Sequence, residues 1–169
     1  EQEIVDCSSK DYGCGGGFMI DAFQYIMNHG ICTNKSYPYI ATEESCYHNC
    51  SSVINISRYY QVIPNSETQL LYSVLNNPVS VAIDASDPNF QLYKKGIYNG
   101  TGSCFKSSLD HGVAIVGYGY DKVSHSKYWI IKNSWSENWG DNGYMYMLRD
   151  IEDPGGMCGI ATKASYPVL

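Results

Sequence analysis

The chain has 169 residues, enough for one ordinary domain or two small lobes. Its formal net charge is −6, which argues against nucleic acid as a partner, and no run of 18 apolar residues offers a membrane-spanning helix. Sixteen tyrosines and seven cysteines stand out in the composition.

The chain opens on Glu1-Gln2-Glu3-Ile4-Val5-Asp6-Cys7, without the charged and apolar regions of a signal peptide, and reads as sequence from the middle of a domain. Residues 12–17, Tyr-Gly-Cys-Gly-Gly-Gly, form a glycine-dense loop. It lacks the lysine and Ser/Thr of a phosphate loop and suits close approach of another backbone, such as an extended peptide. A tight turn leading into a helix fits the same residues. The periodicity of Phe18, Ala22, Phe23, Ile26 and Met27 predicts a helix over about 17–28, ended by Gly30. Residues 31–60 are polar and loop-like, and Tyr59 to Ile63 reads as a short strand crossing between lobes.

Ser66-Glu67-Thr68-Gln69 is a capping box opening a helix with Leu70, Leu71, Val74 and Leu75, stopped by Pro78. Val79 to Asp84 predicts a strand, Phe90 to Tyr98 a helical turn running into Gly96, and Gly143 to Arg149 another strand. Asp153-Pro154-Gly155-Gly156 is a turn, and Ile160 to Val168 a short terminal strand. Helix first and strands after make an α+β pattern in two lobes, divided here as 1–61 and 62–169.

The segments Leu109 to Gly119 and Tyr128 to Trp135 each hold a short apolar run, His111 at the head of one and Asn133 at the tail of the other, and read as buried strands joined by the polar connector Tyr120 to Ser126. A hairpin symmetric about Lys122 puts His111 opposite Asn133, Val113 opposite Ile131 and Ile115 opposite Trp129, about 5 Å apart on one face. A carboxamide oxygen accepting from one imidazole nitrogen fixes the tautomer and leaves the other nitrogen for proton transfer, the base-and-orienter half of a nucleophile triad. A structural histidine satisfied by a neighbouring amide fits the same geometry.

The histidines do not stand at zinc-ligand spacings from Cys7, Cys14, Cys32, Cys46, Cys50, Cys104 and Cys158, so neither metal nor other cofactor is expected. Sequons at Asn34, Asn49, Asn55 and Asn99, together with the cysteines, favour disulfides, glycosylation and a secreted, vacuolar or lysosomal lumen. The odd cysteine count leaves one free or bonded outside the chain.

The opening Glu1 to Cys7, the loop Tyr12 to Gly17, Asp110-His111-Gly112-Val113-Ala114, Lys132-Asn133-Ser134-Trp135 and Trp139-Gly140-Asp141-Asn142-Gly143-Tyr144 together resemble papain-like cysteine peptidases of the plant papain and bromelain type, in order along the whole chain. The resemblance implies a two-lobe α+β fold: a helical left lobe, incomplete here, and an antiparallel, barrel-like right lobe with a cleft between them. It implies His111 as general base and imidazolium partner, Asn133 as its orienter, and Trp135 as the shield of their hydrogen bond. Gly16 and Gly17 would line the cleft, and the Asp110 carbonyl would lie near the scissile residue. Ala82, Phe18, Met19, Gly112 and Lys163 would surround the pocket for the second residue before the cut. A lysine at that floor would favour an acidic substrate side chain, unless its long stem carries the ammonium into solvent, as expected here.

The family's nucleophile precedes its His and Asn by about 130–150 residues, in a Cys-Gly-Ser/Ala-Cys-Trp/Tyr setting. No cysteine here has that setting, so the nucleophile and the oxyanion-hole glutamine are expected on a missing N-terminal segment. The family's disulfide pattern implies Cys7–Cys46 and Cys104–Cys158, with Cys14 bonded to that segment. Cys32 and Cys50 are extra to it and would pair with each other. Without the segment the first lobe would expose an apolar groove and this chain alone would be inactive. With it, the protein would be a cysteine endopeptidase made as a zymogen, acting on polypeptides and inhibited by cystatin-type proteins and E-64-like reagents. The alternative is a catalytically inactive homologue or fragment acting as a binding or storage protein. Ser136 replaces a glycine usual after the tryptophan.

Overall fold

The computed structural model describes residues 1–47, 54–100 and 104–169. They divide into two units, Glu1–Tyr60 with Pro167–Leu169, and Gln61–Tyr166.

In the first unit the helix α1 (Gln2–Cys7) buries a polar face, with Gln2 and Glu3 almost inaccessible to solvent. Six residues cannot hold a helix alone, so its support comes from contacts far along the chain. Glu3 accepts from the Tyr25 hydroxyl at 3.1 Å and from the Cys32 N–H at 2.7 Å. Gln2 donates to the Thr42 carbonyl at 2.7 Å and accepts from the Ile40 N–H at 3.0 Å. Burial and the Glu3 carboxylate push Tyr25 up to about 12, which keeps its hydroxyl a donor. The helix α2 (Met19–His29) follows the predicted stripe and stops at Gly30, whose φ of 74° is one that glycine adopts without strain. Only Tyr25 of this helix is fully buried, and Phe18 at its N-cap is 51% exposed. The Ser57 N–H donates to the Val168 carbonyl at 2.8 Å, so the last residues of the chain close the first unit.

The second unit holds α3 (Glu67–Val74), β2 (Val79–Ile83), α4 (Pro88–Gln91), β3 (Ile97–Tyr98), β4 (His111–Asp121), β5 (Ser126–Lys132), β6 (Tyr144–Leu148) and most of β7 (Ala164–Val168). With β1 (Arg58–Gln61) the strand order is β1-β7-β2-β4-β5-β6-β3. The fold is α+β as expected. Two details differ from an antiparallel barrel: the sheet is open, and β3 joins β6 in parallel. The segment Phe90 to Tyr98 is not one helical turn. Pro88 at the first position of α4, with Asp87 capping Asn89 at 2.9 Å, starts the helix earlier, and the chain then straightens into β3.

Alternation along the strands builds the core. Val79, Val81 and Ile83 face Val113 and Ile115, then Trp129, Ile131, Met145 and Met147, all buried, and Leu70 of α3 packs onto the same cluster. Ser66 caps α3 as the motif requires, its hydroxyl accepting from the Gln69 N–H at 3.2 Å. Glu67 instead turns inward. It accepts from Trp129 Nε1–H at 2.8 Å and from the Asp150 N–H at 2.8 Å. Burial holds its carboxyl above the ordinary 4.5, although both donors favour the ionised form.

This carboxyl generates two expectations. Glu67→Ala strands two donors in a buried setting and lowers stability by about 2–4 kcal/mol in equilibrium unfolding of the whole protein. Because its folded pKa is raised, the stability Glu67 confers is complete below the ordinary carboxylate pKa and is lost as pH rises through the folded value. Wild type should therefore lose stability relative to Glu67→Gln, whose side chain does not titrate, as pH rises from acid to neutral. A constant gap would show that Glu67 does not titrate in that window.

Candidate active site

His111 is the first residue of β4, where it pairs with Ile83 of β2, and Asn133 is the residue after β5. The register between β4 and β5 differs from a symmetric hairpin. Ile115 faces Ile131 rather than Trp129, a displacement of two residues, and Trp129 faces Tyr118. The turn causes this: the Asp121 carboxylate accepts from the N–H groups of Val123 and Ser124 at 3.2 and 2.9 Å, so the strands run on to Asp121 and restart at Ser126. Past Ile115 a bulge adds one residue to β4 before Gly117 meets Ile130. A slip of two preserves the face of every side chain. His111 and Asn133 thus stay on the core-side face and meet diagonally instead of directly opposite.

Their contact is close. The His111 Nε2···Asn133 Oδ1 distance is 2.8 Å. The Ser134 N–H donates to the same oxygen at 2.7 Å. A backbone N–H is an obligate donor, so it identifies that atom as the oxygen and assigns the imidazole proton to Nε2. Nδ1 lies outside this bond. The Asn133 N–H donates to the Gly143 carbonyl at 3.0 Å, anchoring the residue from behind. Asn133 is buried, and its Nδ2 has no hydrogen-bond partner among the described residues.

The loop between β5 and β6 supplies the cover. The Trp135 ring lies 4.8 Å from the His111 ring, tilted by 31°. Edge contacts hold Trp135 to Phe90 at 5.6 Å and to Trp139 at 5.4 Å, and Trp139 Nε1–H donates to the Gln91 carbonyl at 2.9 Å. The loop needs left-handed backbone. A Cβ on Gly140 would stand 2.4 Å from the Tyr144 carbonyl oxygen. Ser136 has φ 65°, a conformation that disfavours a side chain and explains why glycine suits that position better.

Asp110 does more than present a carbonyl. Its N–H donates to Ile83 at 3.0 Å and its carboxylate accepts from the Ala85 N–H at 2.8 Å, fastening the head of β4 to the end of β2. Asp84, fully buried, accepts from Ser86 twice and from the Phe105 N–H at 2.7 Å. Burial raises its carboxyl pKa, and these donors outweigh that and hold it below the usual range. Phe90, Asp84 and Gln91 carry no motif in the sequence. Trp139 lies within one of the motifs noted there.

Ala82 pairs with Gly112, and the Ala82 N–H donates to the Lys163 carbonyl at 3.0 Å, so these three form one row across the sheet. In the first unit Gly16, Gly17, Phe18 and Met19 line a shallow depression of about 220 Å³ with Ile4 and Val5. A Cβ on Gly17 would stand 2.1 Å from Asp11 Oδ1, the atom that accepts from the Phe18 N–H. Disulfides Cys7–Cys46 and Cys104–Cys158 are present. Cys32 is disulfide-bonded, and its expected partner Cys50 lies outside the described residues, as does Asn49. Cys14 is a free, exposed thiol. Asn34, Asn55 and Asn99 are exposed. Among the described residues no group of three or more His, Cys, Asp or Glu is placed to hold a metal ion, and no helix is long and apolar enough to cross a membrane.

An imidazole bonded to a carboxamide beneath a tryptophan can hold one ring nitrogen in a fixed tautomer and leave the other for proton transfer. Residues 1–168 match the family described as papain family cysteine protease, and the chain belongs to it. It is 48% identical to the senescence-specific cysteine protease SAG39 of Oryza sativa subsp. indica, over 99% of this chain and 49% of that one. With vignain of Ricinus communis the identity is 47%, over 99% and 47%. The structure superposes on bromelain of Ananas comosus, solved with the E64 inhibitor, with a TM-score of 0.90 at 42% identity over 99% and 76% of the two chains. The proform of the ragweed pollen allergen Amb a 11 gives 0.93 at 37% identity over 99% and 51%. The chain spans about half the length of the curated relatives it matches.

The tautomer assignment is open to direct measurement. In nitrogen-15 NMR of the histidine-labelled protein, His111 should show a protonated Nε2 in its neutral form. Asn133→Ala should collapse this to a tautomer mixture and cost about 1 kcal/mol of stability. An unchanged tautomer in the variant would remove Asn133 as the orienter.

Proposed function

We propose that this chain is the His- and Asn-bearing part of a cysteine endopeptidase whose nucleophile lies on a segment outside these 169 residues. The carrying observation is the Nε2···Oδ1 bond of 2.8 Å, which commits one ring nitrogen to orientation and reserves Nδ1 for proton exchange with a thiol. The cysteine inventory supports the second half of the reading. Among the described residues the one free thiol is Cys14, set in a glycine loop without the sequence context of a catalytic cysteine. We assign it to a disulfide with that outside segment.

In the proposed mechanism His111 takes the thiol proton, and the thiolate–imidazolium pair is stabilised in the dry setting made by Trp135 and Phe90. The thiolate attacks the scissile carbonyl and the imidazolium gives its proton to the leaving amine. A water, deprotonated by the same ring, then hydrolyses the thioester. Gly16 and Gly17 offer backbone to the substrate, and the row Ala82, Gly112 and Lys163 borders the pocket for the second residue before the cut. Passage through a secretory or vacuolar lumen, as a zymogen, accords with the two disulfides and with a relative described as the KDEL-tailed cysteine endopeptidase CEP2 of Arabidopsis thaliana. Cystatin-type inhibitors and E-64-like reagents would act on the assembled enzyme.

In the intact natural protein, His111→Ala should lower kcat/KM for peptide hydrolysis on the order of 10³-fold or more with the fold unchanged by circular dichroism. Activity should also vanish on thiol alkylation. Wild-type protein without peptidase activity, binding peptides unchanged, would favour an inactive binding or storage homologue.

A further inference from the structure

One face of the second unit is not used by this chemistry. Gly119, Tyr128 and Leu148 pair in a row across β4, β5 and β6, and Gly117, Ile130 and Tyr146 form the next row on the same face. The glycine is a built feature: a Cβ on Gly119 would stand 2.4 Å from the Tyr128 ring, so that ring lies across the bare strand. Tyr146 meets Tyr128 edge-on at 5.4 Å, and its hydroxyl donates to Asp141 at 3.2 Å. Together with Tyr120, Asp121, Ser124 and Ser126 these tyrosines line an open groove of about 640 Å³, within the range of roughly 300–1,000 Å³ typical of small-ligand sites. Aromatic faces beside hydroxyl and carboxylate acceptors match a pyranose, which presents an apolar C–H face and an equatorial belt of hydroxyls.

The groove's wall also carries an attachment point. Asn99 lines it, is exposed, and heads the sequon Asn99-Gly100-Thr101, which the peptidase reading leaves unexplained. We propose that this groove is the seat of an N-linked glycan on Asn99, whose first sugars pack on Tyr128 and Tyr146 and bond to Asp121 and Ser126. Attachment forms a bond from the Asn99 amide nitrogen to the anomeric carbon of a lipid diphosphate-linked oligosaccharide. The lipid diphosphate leaves and the amide proton goes to solvent. Linkage to Asn99 makes seating an intramolecular event, so weak sugar–tyrosine contacts suffice.

The test uses intact protein from a plant secretory host and is independent of peptidase activity. Glycopeptide mass spectrometry should find Asn99 occupied. Enzymatic release of that glycan should run about tenfold slower from native than from denatured protein, the factor supplied by about 1.4 kcal/mol of seating. Tyr128→Ser should bring the native rate up to the denatured one. Tyr146→Ser, at a partly exposed ring beside Tyr128, should do so in part if the first variant does not fold. An unoccupied Asn99, equal release rates from native and denatured wild type, or slow release untouched by the tyrosine variants would each overturn the proposal.

Discussion

The second unit depends on what converges at one atom, the Oδ1 of Asn133. It takes the Ser134 N–H and the His111 ring, and a donor on each side fixes both the flip of the amide and the plane of the imidazole. Holding that atom in place requires strand ends held to fractions of an ångström. Asp110 fastens β4 to β2, and Gly143 receives the Asn133 N–H. Phe90, Trp135 and Trp139 fill the space beside the ring. The buried Nδ2 without a described partner is a cost carried at the point where function would repay it.

Buried carboxylates recur as organisers of loops. Glu3, Glu67, Asp84 and Asp87 are all nearly inaccessible, and each accepts hydrogen bonds from neutral donors. Backbone N–H groups and neutral side-chain donors serve them alike, and Glu3, Glu67 and Asp84 each tie in a segment distant in sequence. The solution serves a protein with only 17% charged residues, in which few cations are available as partners.

Strand periodicity and turn residues made most of this architecture readable. The runs at Val79, His111, Tyr128 and Gly143 are strands because alternation and β-branched residues state it locally. His111 and Asn133 could be seen to share a face because any slip by two keeps that face, even with the turn misjudged. What stayed hidden was non-local. Nothing in Gln2 to Cys7 announces a helix, since its partners at Thr42, Tyr25 and Cys32 lie elsewhere in the chain. The capping motif at Ser66 was legible, but the inward turn of Glu67 toward Trp129 was not. Phe90 likewise becomes part of the site only through its packing.

The return of Pro167–Leu169 to the first unit bears on biosynthesis. Ser57 and Val168 are 111 positions apart, and their hydrogen bonds close the unit in which Glu1 also lies. A ribosome delivers the first unit's helices long before the residues that complete it. Its local helices can form early, whereas the hydrogen bonds that join Ser57 to Val168 wait for the second unit's residues. The first unit is thus closed by contacts of high sequence separation, which cost loop-closure entropy before they form and slow its completion relative to its local helices.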